Sequence, residues 1–505
     1  MKTPSNPQAG TVHLVGAGPG DPGLITVRAV QCLREADLVL YDYLANPTLV
    51  EYAREGAELV RLGRHDQGRS LTPDEISEVM VKAALEGKNV VRLKGGDASI
   101  FARGIDEADA CRKAGVTFEI VPGITSGLAT AAYAEIPLTH HEDASAVALV
   151  TGHERDDKEE SHLDYKALAA FPGTLVFYMG VKWAGQWSGA LMEHGMSPDT
   201  PVAVVQWCTR ARQQTVKCTL GTVADVIGEK GIRPPSLFVV GKVVDHAPDL
   251  SWFQERPLFG TTVLVAGSKR TAGRLRERLS VMGAEVLTQP AIRIADPVDW
   301  DAVDAALDQL QEYDWVVFTS GSGVSGFMGR ILARGRDSRD LGGVRLAALG
   351  KGTAERLRDF HLIPDLTPEK VDPAALAKSL LEKAPGGAFL LARATGDRPV
   401  LAEELEDLGA GVDQVPVYRT VDVDEPNRDV ADALKAGEIK WITVTSSPTA
   451  RSLVRLYGEL LRTAKIVSIS PLTSATLREL GFAPAVEASP HTVDGMVETL
   501  LKGEA

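Results

Sequence analysis

Short β-branched runs alternate with amphipathic stretches from one end of the chain to the other, and this alternation restricts the fold more than any other feature. VHLVGAG from Val12 and LVLYD from Leu38 are matched in kind by WVVFTS from Trp315 and WITVTS from Trp441. Each run is the length of a strand and each interval can hold a helix, the pattern of α/β architecture with largely parallel sheets. At 505 residues the chain is too long for one hydrophobic core and must divide into domains. One helix is legible to the residue: Thr72 caps it, Pro73 takes the first position, Glu75 completes a capping box, and the run ends at Leu85.

The formal charge of −14 argues against nucleic acid as a global partner, because phosphate neutralisation needs a basic face. An anionic ligand would have to be held by local Arg, Lys and backbone N–H groups. No apolar segment is long enough to span a membrane, and residues 1–10 lack a basic stretch followed by an apolar one. Cys32, Cys111, Cys208 and Cys218 are too scattered for a zinc knuckle or a disulfide scaffold. The expected compartment is therefore a reducing cytoplasm, with no membrane partner.

DHAPDLSWFQERPLFG, from Asp245 to Gly260, has two prolines and no periodicity and lies between two strand-like runs, as a linker would. ERDDKEESHLD from Glu154 reads as a solvated connector. Beyond the linker the chain repeats itself. A shift of 126 positions lays Trp315-Val316 on Trp441-Ile442, Thr319-Ser320 on Thr445-Ser446, Gly283-Ala284 on Gly409-Ala410 and Pro290 on Pro416; a shift of 120 then lays Thr353 on Thr473 and Pro364 on Pro484. Two similar α/β lobes imply a cleft beyond the carboxyl ends of their strands. The Thr-Ser pairs fall at those ends, where they can bind carboxylates or simply cap helices.

GAGPGDPG, from Gly16 to Gly23, satisfies the GxGxxG pattern of dinucleotide sites, yet Pro19 and Pro22 lack N–H groups and Asp21 brings a negative charge. A ligand without phosphate suits it better, and S-adenosylmethionine is one. RLKGGDASIF from Arg92 and PGITSG from Pro122 are two further glycine turns after strands, with Asp97 an acceptor for an ammonium or hydroxyl group. Three permissive loops on one sheet edge make a site.

VGAGPGDPGLIT, DLVLYD, VVRLKGGD, VPGITSG, IPLTH, VTGH and FYMG follow one another between Val12 and His246. In this the first half resembles the uroporphyrinogen-III C-methyltransferases of the tetrapyrrole methylase class. The resemblance implies a two-lobed fold over 12–246, a homodimer, and S-adenosylmethionine contacts at Pro19, Gly95, Gly96, Asp97, Ile100, Thr125, Ser126 and Met179, with Cys208 a further contact. It makes Asp42 the proton acceptor; the competing reading is a helix cap near Pro47. Arg64 stands where the family has a lysine proposed as proton donor, and arginine is a poor acid, so His65 is an alternative. His140-His141 replaces a His-Arg pair. No metal is expected there, because sequence neighbours point apart and no third ligand is suitably spaced.

The second half carries FTSGSGV from Phe318, LGKGTAERL from Leu349, LLARATGDR from Leu390, VPVYRT from Val415, VTSSPTA from Val444 and SPLTSATLRELG from Ser470. It is similar to uroporphyrinogen-III synthases over 258–505, which implies lobes of 258–294 plus 422–505 and of 299–416 joined by a ladder, and no cofactor. Tyr418 matches the tyrosine proposed as acid; otherwise it is a hydrogen-bonded ladder residue. Thr319, Ser320, Thr353, Arg393, Ser446, Ser447 and Thr473 would hold substrate carboxylates. Together the resemblances imply an enzyme that closes hydroxymethylbilane to uroporphyrinogen III and methylates it twice to precorrin-2, for sirohaem or cobalamin. A dehydrogenase and ferrochelatase module is not expected before Val12, so the chain is expected to stop at precorrin-2. The rival reading is a methylase for a later precorrin with a ligand-sensing second half.

Overall fold

The alternation of runs resolves into four five-stranded sheets in the computed structural model, which describes residues 9–54, 56–63, 71–153, 162–267, 269–290, 292–368, 372–396 and 400–504. The first sheet comprises β1 (Val12–Gly16), β2 (Leu38–Asp42), β3 (Glu58–Leu62), β4 (Val90–Lys94) and β5 (Phe118–Val121) in the order β3-β2-β4-β1-β5. All its pairings are parallel, and β1 and β4 are buried throughout, as expected for strands covered by helices on both faces. The helix Pro73–Leu85 has both arms of the capping box that its sequence announces.

The second sheet departs from the parallel expectation. It comprises β6 (Val147–Thr151), β7 (Thr174–Tyr178), β8 (Pro201–Gln206), β9 (Gln214–Thr219) and β10 (Ser236–Val240), ordered β6-β7-β10-β8-β9. Only β6 and β7 run parallel. The interval between β8 and β9 is too short for a crossover helix, so these strands fold back as a hairpin, and β10 then inserts antiparallel between β7 and β8.

The last two sheets interleave. β11 (Thr262–Gly267) and β12 (Glu285–Pro290) start one; the chain leaves it to build β13 (Ile292–Ala295), β14 (Trp315–Phe318), β15 (Arg345–Ala348), β16 (Ala388–Ala394) and β17 (Gly411–Asp422), then returns with β18 (Trp441–Val444), β19 (Lys465–Ser468) and β20 (Val486–Glu487). The orders are β12-β11-β18-β19-β20 and β13-β17-β16-β14-β15. The repeat is thus written into the sheets: a shift of 126 carries the starts of β11, β12 and β14 onto those of β16, β17 and β18, and 120 carries β15 onto β19. β13, part of which was expected with the first lobe, pairs antiparallel with the far end of β17, forming the ladder where the chain crosses.

The segment expected to be a linker is packed down. Phe253 and Leu258 are buried, the Phe253 ring lies 4.8 Å from that of Tyr133, and Trp252 donates from Nε1 to the Ala132 carbonyl at 2.7 Å. Apolar and aromatic side chains outweigh the prolines here. The connector expected at Glu154 lies, as far as residue 161, outside the described residues.

Candidate functional site

In the first sheet β4, β1 and β5 are adjacent, so the three glycine loops that follow them meet. Gly18 and Gly96 exchange backbone hydrogen bonds of 3.1 and 2.8 Å, and Asp97 accepts from the N–H groups of Ser99 and Gly123 at 2.7 and 2.9 Å. A Cβ on Gly16 would lie 2.5 Å from the Gly123 nitrogen, and Gly96 has φ +70°, so this convergence requires glycine. The loop is a poor phosphate cradle for a concrete reason. The N–H groups of Ala17, Gly18 and Leu24 already donate to carbonyls, those of Asp21 and Gly23 to Thr209 Oγ1 and to the Asp21 carboxylate, and Pro19 and Pro22 have none.

These loops open on a cleft of about 320 Å³ between the first two sheets, lined by Pro19, Gly95, Gly96, Asp97, Ile100, Thr125, Ser126, Met179 and Cys208, and also by Asp42. All nine residues proposed from the resemblance are brought together. Sequence reasoning missed Tyr43, Phe101, Trp207 and Arg210 as contacts, though they line it as well; Phe101 closes the RLKGGDASIF run, and no local motif marks the other three. Tyr178 fixes one wall: its buried hydroxyl lies 2.8 Å from Thr125 Oγ1 and accepts from the Gly127 N–H at 2.8 Å. Burial pushes the Cys208 thiol up to about 12, so it is an apolar wall and not a nucleophile. An apolar cleft with a few fixed polar groups fits an adenosine and a sulfonium better than a polyphosphate.

Asp42 ends β2 and does not cap the next helix; Asn46 does. Its carboxylate accepts from Arg92 Nη2 at 2.6 Å. Arg92 also donates to Glu107 at 3.0 Å, and Lys94 reaches Glu107 at 2.7 Å. Burial, and then the Arg92 charge, pull the Lys94 ammonium below its ordinary pKa. Beneath a half-buried acid thus lies a buried network of two cations and a carboxylate. Arg64 and His65 lie outside the described residues.

The spatial premise about His140-His141 is corrected. Their rings touch, with centroids 4.3 Å apart, and the fold brings Asp143 to 3.2 Å from His140 Nδ1 and 2.8 Å from His246 Nε2. His246 stacks on His140 at 4.1 Å, a contact across some hundred positions that spacing cannot reveal.

In the second half, Thr319-Ser320 follow β14 and Thr445-Ser446 follow β18, each at a helix start. Ser320, Ser446 and Ser470 all cap, accepting from the N–H three residues on, so the capping reading holds for each. Ser320 Oγ also lies 3.0 Å from the Tyr418 hydroxyl, which joins two predicted residues at one strand end; Tyr418 is on β17 and buried. Thr353 and Thr473 are buried in first helical turns, Thr473 against Ser470. Ser447 is half-buried and bonded by Thr476, and Arg393 pairs with Gln414. Four helix N-termini follow β14, β15, β18 and β19, each favouring anions.

Residues 11–224 match the model for tetrapyrrole (corrin/porphyrin) methylases, and residues 273–498 that for uroporphyrinogen-III synthase HemD. The chain is 33% identical to the porphyrin biosynthesis protein HemD of Ruminiclostridium josui across 98% of both. It is 38% identical to a uroporphyrinogen-III C-methyltransferase of Bacillus subtilis over 71% of this chain and 74% of that one. Its first half is 46% identical to the S-adenosyl-L-methionine-dependent uroporphyrinogen III methyltransferase of Methanosarcina barkeri, over 48% of this chain and 94% of the relative.

Proposed function

The chain belongs to the tetrapyrrole methylases through its first half and to the uroporphyrinogen-III synthases through its second, and from that membership we propose that it makes precorrin-2 from hydroxymethylbilane in two stages. The second half closes the linear tetrapyrrole with inversion of its last ring. The first half then methylates the product twice. The observation that carries the reading is the single cleft in which three glycine loops, Asp42 and every expected donor contact meet.

S-adenosylmethionine, bound there, supplies the methyl group. The chain's contribution is first positional, since an in-line displacement gains most from fixed geometry. The loops at Gly18, Gly96 and Gly123 lock one another, and Tyr178 at the end of β7 ties the start of the helix Ser126–Tyr133 to the second sheet. Asp42 then accepts the proton that the macrocycle loses, its orientation set by Arg92. In the synthase half, Tyr418 donates a proton to the departing hydroxyl, with Ser320 orienting the phenol. Helix N-termini and the hydroxyls of Thr319 and Ser447 hold propionate and acetate carboxylates. On this reading the enzyme is a cytoplasmic homodimer.

Incubating the intact chain with hydroxymethylbilane and methyl-labelled S-adenosylmethionine tests both stages. The expected result is isomer III carrying two labels per macrocycle. Isomer I alone would overturn the synthase assignment, because spontaneous closure gives that isomer. Isomer III without label would overturn the methylation assignment.

A further inference from the structure

The two halves touch through more than the packed linker, and one contact reaches the donor cleft. Arg210 lies in the turn between β8 and β9, lines that cleft and donates from Nε at 3.0 Å, and from Nη2, to the carboxylate of Glu285. Glu285 begins β12, in the synthase half. The two side chains are 10% and 12% exposed. Burial would push Glu285 up, yet the Arg210 charge outweighs it and holds the carboxyl below its ordinary range. The pair is therefore ionised, buried and mutually dependent.

The turn that carries Arg210 also holds the glycine loop. Asp21 donates its N–H to Thr209 Oγ1 at 2.9 Å, and a Cβ on Gly20 would stand 2.7 Å from Arg210 Cδ, so the loop rests directly on the arginine. Trp207 and Thr209 have φ of 50° and 66°, a left-handed backbone that non-glycine residues keep only where the surroundings enforce it. Gln213 enforces it from the methylase side, accepting from the Thr209 N–H and donating to the Tyr133 carbonyl, each at 2.9 Å. On the synthase side, the restraint on Arg210 is Glu285.

We infer that Glu285 of the synthase half is a positioning residue for the methyl-donor cleft, holding Arg210 so that the turn and the loop Gly18–Asp21 keep their shape. This rests on reading the cleft as the S-adenosylmethionine site. Without Glu285 the buried guanidinium keeps only the weaker influence of Asp21 and is left under-compensated; it moves toward water and takes the floor of the loop with it. The loop shapes the donor subsite and not the acid at Asp42, so the loss falls on donor affinity.

The full-length chain carrying Glu285→Gln or Glu285→Asp is titrated with S-adenosylhomocysteine by calorimetry, with kcat and KM for methyl transfer and the rate of isomer III formation measured on the same preparations. Glu285→Gln is expected to raise the Kd for S-adenosylhomocysteine and the KM for S-adenosylmethionine at least fivefold, with kcat at saturating donor and isomer III formation within twofold. Glu285→Asp, which keeps the charge, recovers most of the affinity; should the Gln variant fail to fold, a twofold or greater rise in Kd for the Asp variant still supports the role. Unchanged Kd and KM in a folded Gln variant, or in the Asp variant where the Gln variant does not fold, overturn it, leaving Glu285 as interface cement. Wild-type chain that does not bind S-adenosylhomocysteine overturns the donor-site reading instead, and this inference with it.

Discussion

Replacing Glu107 by Gln keeps the shape of the side chain and removes only its charge, which isolates the electrostatics beneath Asp42. Glu107, Arg92 and Lys94 are 6%, 4% and 3% exposed, so the glutamine leaves two buried cations with Asp42 as the remaining carboxylate contact of Arg92. Breaking a buried pair from one side costs about 3–5 kcal/mol. An independent ceiling comes from Lys94, which can escape by losing its proton: from an ordinary pKa of 10.5, doing so at pH 7 costs about 1.4 kcal/mol per unit, about 5 kcal/mol in all. For a domain of this size, 1 kcal/mol shifts Tm by about 2–4 °C, so the methylase transition should fall by about 6–20 °C. Calorimetry of the intact chain reads it, with the methylase transition identified as the one that S-adenosylhomocysteine raises. The deficit should also shrink as pH rises from 7 towards 10.5, because the unfolded-state lysine then needs no proton either. A fall under about 2 °C, less than about 1 kcal/mol, would refute the argument, since it would mean that water reaches the cations and the network is not dry.

Asp42→Asn should slow methyl transfer about 10²-fold while leaving the Kd for S-adenosylhomocysteine within twofold; equal rates would remove Asp42 as the base. Tyr418→Phe should slow isomer III formation by about 10²-fold and let isomer I accumulate, without altering methylation of supplied uroporphyrinogen III; an unchanged isomer ratio would return Tyr418 to a structural role. The Glu285 carboxyl is held below its ordinary 4.5, so its contribution to stability is complete above pH 4.5 and is lost as pH falls through the lower folded-state value. Melting of the wild type should therefore drop below pH 4.5 more steeply than that of Glu285→Gln, and parallel pH profiles would contradict the buried pair.

Where the chemistry is local, the sequence announced the structure. Thr72, Pro73 and Glu75 specify a helix start through contacts within four residues, and the helix is there. The glycine loops were legible because positive φ and close backbone approach demand glycine wherever they occur, and the repeat was legible because matched strands keep matched sequences. What stayed hidden depends on contacts between distant positions. The antiparallel second sheet follows from where β10 inserts, which neither β7 nor β8 records. His246 and Asp143 meet His140 across the methylase half, and Arg210 and Glu285 are unremarkable surface-type residues until two enzymes dock. Tyr418 was found through a family pattern; its partner Ser320 is fixed by the sheet that sets β14 and β17 on either side of β16.

The interleaved sheets also set an order of events during synthesis. The methylase half can be complete when the ribosome has passed the linker, but β11 and β12 must then wait for β18, some 170 positions later, before their sheet closes. Until then β12 presents Glu285 on an unfinished surface, and Arg210 has no settled partner. Donor binding by the nascent methylase should accordingly mature late, only after the last lobe has zipped up, so that the half proposed to act second on the substrate is finished by the one proposed to act first.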